Sequence, residues 1–363
     1  MKRREFITGL GGGAALAACT PQNQGGIATT ASRERFSWKM VTTWPPNFPG
    51  LGTGATKLAR YFEELSGGRI QVQVYAAGEL IPAFEVFDAV SSGTAELGHG
   101  GSYYWRGKAE AMQFFTSIPF GFNAHEMNAW LYYGGGMELW QEVYRPFDVE
   151  PFAAGTTGVQ MGGWFNRPID SMEDLKGLKM RIPGLGGEVL KRAGGTPVTL
   201  PGSELFTALQ TGSIDATEWV GPYNDLAFGL NQAARYYYYP GWHEPGSTME
   251  CIVNLEAFNA LPADLQAIVR VACQAANVDM ISEFNARNSS ALEQIAADET
   301  VEVRAFPDDV LARLKVLSLQ VIEDLAARDP LAAKVWDSYR TFLGHSRPWQ
   351  QISEQAYIRT TSL

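Results

Sequence analysis

Polar and charged residues stand where several short apolar runs of this chain break off. Arg181 lies between Met180 and Ile182, just before Pro183. Its planar guanidinium is built to grip a carboxylate through two parallel hydrogen bonds, or else it is an edge charge in water. Glu218 is followed by Trp219, and Gly221-Pro222 then breaks the chain. A carboxylate among aromatics is costly to bury alone, so it requires a bound cation or an arginine partner. Gln160 opens an apolar run that holds Met161, Trp164 and Phe165, where it supplies an amide oxygen or faces solvent. His243 beside Glu244 is a catalytic dyad or a satisfied loop residue. Tyr103-Tyr104-Trp105 and the four tyrosines 236–239 read first as core or surface aromatics. Familiar catalytic signatures are missing. There is no Gly-x-Ser-x-Gly elbow and no His-Glu-x-x-His helix, and Gly184-Leu-Gly-Gly187 lacks dinucleotide spacing.

These residues need a framework of alternating strands and helices. Residues 36–43 alternate apolar and polar, as do 69–75, and 95–99 is a third short strand. The proline-rich stretch 44–50 must be a loop. Helices are expected over 56–66 and 82–92, which makes the first half a parallel α/β sheet. Strands over 152–156, 160–166, 178–183 and 216–220 follow, with helices over 187–194 and 203–211. Then come a strand over 248–254, one long helix over 262–297, a strand over 301–306 and a helical tail from Asp308 to about Tyr339. Ligands in such sheets bind beyond the carboxyl ends of strands, often between lobes.

Composition narrows the possibilities. A chain of 363 residues with 45% hydrophobic content has material for two lobes and a large core. A formal net charge of -10 argues against nucleic acid or an anionic membrane as partner. The first residues look like an address. Arg3-Arg4 ahead of Phe6-Ile7 and a weakly apolar stretch resemble a twin-arginine export signal. Leu16-Ala17-Ala18-Cys19 resembles a lipoprotein cleavage box that would lipidate Cys19, with ordinary cleavage near Ala31 as the alternative. The expected location is the periplasm. There, Cys251 and Cys273 are buried free thiols or a disulfide.

Two stretches carry a family resemblance. One is Asn166-Arg-Pro-Ile-Asp-Ser-Met-Glu-Asp-Leu-Lys-Gly-Leu-Lys-Met-Arg-Ile-Pro183. The other runs from Gly194-Gly-Thr-Pro through Leu205-Phe-Thr-Ala-Leu-Gln-Thr-Gly-Ser-Ile-Asp-Ala-Thr-Glu218, and Phe62-Glu-Glu-Leu-Ser-Gly-Gly-Arg69 adds to them. Together they resemble the extracytoplasmic solute receptors of tripartite ATP-independent periplasmic (TRAP) transporters. The resemblance implies an α/β, two-lobed periplasmic binding protein of type II-like build, with a long inter-lobe helix and a helical C-terminal extension. It implies capture of a small organic acid for the TRAP membrane permease subunits, and no enzyme activity. Lobe 1 would span 36–156, completed by about 248–285. Lobe 2 would span 157–247, completed by about 286–307. Residues 1–35 would be signal and linker, and 308–363 the extension.

Arg181 matches the family's substrate-carboxylate arginine. Trp219 stands where dicarboxylate-type members are expected to carry Asn. Glu218-Trp219, with Trp242-His-Glu244 downstream, is similar to the branch that binds 2-oxo monocarboxylates such as pyruvate with a cation. That branch implies Gln160, Glu218, the Trp219 carbonyl and Glu244 as ligands of Na+ or, as the alternative, Ca2+. Tyr103 and Tyr104 would flank the acid, beside Arg181, Gln160 and Glu218. The branch also implies a homodimer with swapped C-terminal helices. Val310, Leu314, Leu317, Val321 and Leu325 form an apolar stripe that serves this purpose or packs on its own chain. Competing readings are a dicarboxylate or sugar-acid receptor, and an exported hydrolase or lyase using Glu218, Glu244 or Cys251.

Overall fold

A computed structural model describes residues 34–361. The twin-arginine pair, the Cys19 box and most of the expected signal segment lie outside the described residues.

Eleven strands form two sheets among the described residues. They are β1 Phe36–Thr42, β2 Ile70–Tyr75, β3 Leu97–Gly100, β4 Val149–Thr156, β5 Gly163–Phe165, β6 Lys179–Arg181, β7 Thr196–Val198, β8 Ala216–Thr217, β9 Tyr236–Tyr239, β10 Thr248–Asn254 and β11 Glu302–Ala305. The first sheet has the order β2-β1-β3-β10-β4 and the second β11-β9-β5-β8-β6-β7. The first three strands form the expected parallel unit, within a sheet that is mixed overall. β1 runs parallel to β2 and β3, but β10 is antiparallel to both β3 and β4. In the second sheet β5 is antiparallel to β8 and β9. The reason is connectivity: β10 is reached from the second sheet rather than through a helical crossover, so nothing forces it parallel.

The helix expected from Thr56 begins earlier and spans Gly52–Leu65. Its opening glycines lower helix propensity, but Gly52 is set by packing: a Cβ there would meet the Pro45 carbonyl oxygen at 2.9 Å, and one at Gly54 the flexible Met280 methyl at 2.8 Å. Met280 belongs to the long helix Ala263–Ala296. That helix packs on β4 of the first sheet and on the short helix Pro222–Ala227 that follows β8. Its buried Leu265, Val269 and Cys273 join a cluster with Trp38, Phe62 and Phe152, whereas Met280, Phe284 and Ile295 join Trp44, Trp164 and Trp219. Cys251 on β10 and Cys273 on this helix are buried free thiols and contact one another.

Helices Ala124–Tyr133 and Gly136–Tyr144 were not anticipated. The first opens with a capping box in which Asn123 and Glu126 bond each other's backbone. Beyond Pro307 the chain forms helices Asp308–Arg328, Pro330–Ile352 and Glu354–Thr360. Val310, Leu314, Leu317, Val321 and Leu325 are all buried within their own chain, in the cluster that also holds Leu185 and Val189. The stripe read as a dimer seam is therefore used up internally. Exposed apolar residues of the tail are Val316 and Leu319 on the same helix and, further on, Trp349, Ile352, Tyr357 and Ile358. No described helix is long and apolar enough to cross a membrane.

Candidate functional site

β6 and β8 are parallel neighbours, with Arg181 opposite Thr217. Arg181 ends one strand and Glu218 follows the end of the other, so both side chains emerge at the same sheet edge. The strand expected over 216–220 stops at Thr217, because Trp219 and Val220 leave the ladder. Asp225 holds that departure: its carboxylate accepts from the backbone N–H of Val220 at 3.3 Å and of Gly221 at 3.2 Å. It also accepts from Trp164 Nε1 at 3.0 Å and the Tyr237 hydroxyl at 2.7 Å. Burial pushes the Asp225 carboxyl up to about 7, against the pull of these donors.

Gln160 also lies outside its expected strand, since β5 begins only at Gly163. Its backbone is tied elsewhere: Gln160 N–H donates to the Glu244 carbonyl at 3.2 Å, and Gly241 N–H donates to the Gln160 carbonyl at 2.8 Å. These two bonds set the Gln160 and Glu244 side chains together. Gln160 Nε2 donates to Glu244 Oε2 at 2.9 Å, and Ser247 Oγ donates to the same oxygen.

Arg181 is 1% exposed. Its Nη1 donates to the Glu218 carboxylate and, at 3.2 Å, to the Glu218 carbonyl. Nε donates to the Leu200 carbonyl at 3.2 Å, and Nη2 points at the Tyr104 hydroxyl at 3.4 Å. The guanidinium lies over the Trp219 ring, 5.1 Å from its centre. Burial alone would lower its pKa, but Glu218, Tyr104, Tyr103 and Glu244 together outweigh that and hold it charged. His243 Nε2 sits 3.3 Å from the other Glu218 oxygen. No dyad with Glu244 forms; the histidine faces Glu218 instead.

One ligand atom each from Glu218, His243 and Glu244 lies within 4.8 Å of the others, and all three residues are buried. Burial, then the Glu218 charge, push the Glu244 carboxyl up to about 7. Three buried polar atoms here have no partner: Gln160 Oε1, Trp219 Nε1 and His243 Nδ1. An unsatisfied amide oxygen on a residue bonded to Glu244, with the Glu218 carboxylate in the same cluster, gives hard donors suited to Na+ or Ca2+. The residues present therefore fit the implied cation.

The adjoining cavity is small and lined by Trp44, Leu51, Tyr103, Tyr104, Gln160, Trp219, Val220 and Met249. Tyr103 and Tyr104 occupy the turn after β3, their rings edge-on with centroids 4.6 Å apart. Burial raises both phenols. Gly184, with φ +60°, lets the lining close: a Cβ there would sit 3.2 Å from that of Tyr103. Trp44 packs edge-on against Trp219 and donates from Nε1 to His99 Nδ1 at 2.7 Å. Burial drives His99 down to about 4, so it stays neutral as that acceptor.

The structure thus brings all seven residues of the sequence reading together. Sequence reasoning missed Trp44, Leu51, Val220 and Met249 as lining, and Asp225 as the support of the Trp219 segment. Only the Trp44-Pro-Pro loop carried a signal, and that signal was for a loop. A larger hollow lined by Arg106, Glu110, Glu188 and Arg328 lies elsewhere, where Arg106–Glu188 and Arg328–Glu110 pair at 2.9 and 2.6 Å.

Residues 40–329 match the bacterial extracellular solute-binding proteins of family 7 (DctP). The chain belongs to this family, the solute receptors of TRAP transporters. It is 43% identical over 360 residues to a monocarboxylate 2-oxoacid-binding periplasmic protein of Nostoc sp. strain PCC 7120, covering 98% of each chain. A TRAP periplasmic solute-binding protein from Colwellia psychrerythraea, solved with calcium and pyruvate, superposes with a TM-score of 0.88 at 43% identity; the match covers 90% of this receptor and 100% of that chain. One from Pseudoalteromonas atlantica T6c, solved with sodium and pyruvate, gives 0.87 at 42%, covering 90% and 99%.

Proposed function

We propose that this receptor captures a small 2-oxo monocarboxylate, pyruvate or a close analogue, together with a metal cation, and presents it to the TRAP permease subunits. One observation carries the reading. A buried arginine and two buried carboxylates cluster with Gln160, whose unpartnered amide oxygen stands beside a small cavity shared with Tyr103, Tyr104 and Trp219. Arg181 would pair with the ligand carboxylate through Nη2, the guanidinium nitrogen not given to Glu218 or Leu200. Gln160 Oε1, Glu218, the Trp219 carbonyl and Glu244 would hold the cation, which supplies positive charge toward the keto and carboxylate oxygens. Tyr103 and Tyr104 would flank the acid. The Trp219 indole takes the room that a second carboxylate needs. Na+ and Ca2+ both suit hard oxygen donors, and the two pyruvate-bound relatives hold one each.

No turnover is proposed: His243 is turned to Glu218, and Cys251 is fully buried in the core. In this reading lobe 1 spans 36–156 with about 248–285, and lobe 2 spans 157–247 with about 286–307. Export by the twin-arginine route and a lipid at Cys19 belong to the same proposal. So does a homodimer, supported by the exposed Trp349, Ile352, Tyr357 and Ile358 on the last two helices.

A thermal-shift screen of 2-oxoacids, hydroxyacids and dicarboxylates, with and without Na+ and Ca2+, tests the reading. A ligand at about 100 times its Kd stabilises the fold by about 2.7 kcal/mol. Stabilisation by a dicarboxylate and not by pyruvate would overturn it, as would conversion of pyruvate to product.

A further inference from the structure

Glu250 touches neither the cavity nor the cation cluster, yet it is a carboxylate with 0% exposure. It lies on β10, paired with Gly100 at the end of β3. Its three donors are neutral. Ser102 Oγ donates to Oε2 at 2.8 Å, the Tyr144 hydroxyl donates to the same oxygen at 2.7 Å, and Trp105 Nε1 donates to Oε1. Burial pushes this carboxyl up to about 7, with the donors pulling it back. An apolar side chain would fill the space without that desolvation cost. What the carboxylate supplies is geometry.

Ser102 and Trp105 are the two ends of a single 3-10 turn, Ser102–Trp105. The residues between them are Tyr103 and Tyr104. We propose that Glu250 is a positioning residue: by gripping both ends of this turn it fixes the tyrosine wall of the ligand cavity. The inference rests on the reading that Tyr103 and Tyr104 flank the acid. Glu250 grips the turn's side chains; among the described residues one side chain bonds its backbone, Thr116 Oγ1, which accepts from Tyr103 N–H at 3.1 Å. Tyr103 is also the residue packed against Gly184 just beyond Arg181. A displaced turn would therefore disturb the cavity on two sides, at the phenols and at the Arg181 strand end.

The consequence is for selectivity. A stiff wall discriminates between acids differing by one methylene by about tenfold or more, and a loose wall does not. Gln at position 250 keeps the grip, because its oxygen can accept from Trp105 while its NH2 donates to the Ser102 and Tyr144 hydroxyls, which can rotate to accept. Leu keeps the volume and loses the grip.

The experiment is calorimetric titration of pyruvate and of 2-oxobutyrate, with Ca2+ present, into the parent and its variants. Glu250→Leu should bind pyruvate about tenfold more weakly, with the ratio of the two affinities moved toward unity, and Glu250→Gln should stay within about threefold of the parent in both. Lost stability alone lowers the melting temperature and leaves that ratio unchanged. Parent-like affinity and ratio in the Leu variant would overturn the inference, and so would a Gln variant as impaired as the Leu variant. If Glu250→Leu does not fold, Ser102→Ala and Trp105→Phe each remove one donor, and parent-like ratios in both would overturn it equally. Tyr104→Ala is run alongside. If it leaves pyruvate affinity unchanged, the failure lies in the tyrosine-wall reading and not in the clamp.

Discussion

Removing the cation should cost this receptor most of its affinity for pyruvate, and the size of the loss follows from the packing of charge. Oxygens of Glu218 and Glu244 lie within 4.8 Å of each other in a buried site. Two unit charges at that separation repel by about 3.5 kcal/mol at an effective dielectric constant of about 20. Arg181 is paired with Glu218 and offsets one charge. The ligand then brings a third carboxylate, which leaves a net charge of about -2 in a low-dielectric cleft unless a cation enters. A monovalent ion halves that excess and a divalent ion cancels it. A ligand carboxylate that meets one unbalanced carboxylate at similar range should bind more weakly by up to about 3.5 kcal/mol, or roughly 400-fold in Kd, at a pH above the raised Glu244 value of about 7. The assay is calorimetric titration of pyruvate into metal-stripped protein in chelated buffer free of sodium and potassium, repeated after adding Na+ or Ca2+. Equal affinity in both conditions would refute the reasoning. So would Glu218→Gln binding as tightly as the parent.

Arg181→Met should weaken pyruvate binding by about 2–5 kcal/mol, and Arg181→Lys should restore only part of it because an ammonium lacks the fork; near-parent affinity of the Met variant in calorimetry would remove Arg181 from the site. Replacing Trp349, Ile352, Tyr357 and Ile358 with Ser should convert a dimer to a monomer in sedimentation, and a parent that is already monomeric at micromolar concentration would end the dimer reading. Asp225 and Glu250 are both raised to about 7 in the fold, from 3.8 and 4.5. The folded state then binds more protons than the unfolded one between those limits. Their contribution to stability is full below the unfolded values and is lost as pH rises through about 7. The ligand-free melting temperature should fall between about pH 5 and about pH 8, and Asp225→Asn should flatten the fall; a rising curve would contradict the burial argument. Arg3→Lys with Arg4→Lys should leave the precursor in the cytoplasm, and unchanged periplasmic yield in fractionation would count against the twin-arginine route.

Strands such as Ile70–Tyr75 and Thr248–Asn254 were legible because their composition and alternation are local properties. So was the long helix, expected over 262–297 and found at Ala263–Ala296. The early start of the first helix at Gly52 was not, because glycines read as helix breakers, and the close approach of the Pro45 carbonyl to Gly52 is visible only once the loop is folded. Helices Ala124–Tyr133 and Gly136–Tyr144 escaped although Asn123-x-x-Glu126 was a readable start signal. The apolar stripe from Val310 to Leu325 was legible as a stripe, but periodicity does not say which surface covers it.

By itself, the sequence determined which strands end in chemistry. Arg181, Glu218 and Gln160 stand at breaks in apolar runs, and those breaks are written in Pro183, Gly221-Pro222 and the change of periodicity. It also determined the hard-oxygen character of the donors, since that is a matter of residue type. Only tertiary structure decided that Gln160 faces Glu244, through backbone bonds between segments far apart in the chain. Only tertiary structure made Asp225 the support of Trp219 and Glu250 the grip on the tyrosine turn. A buried carboxylate has no local signature. Its desolvation cost is met by donors from distant segments, and the chain must close before those donors exist.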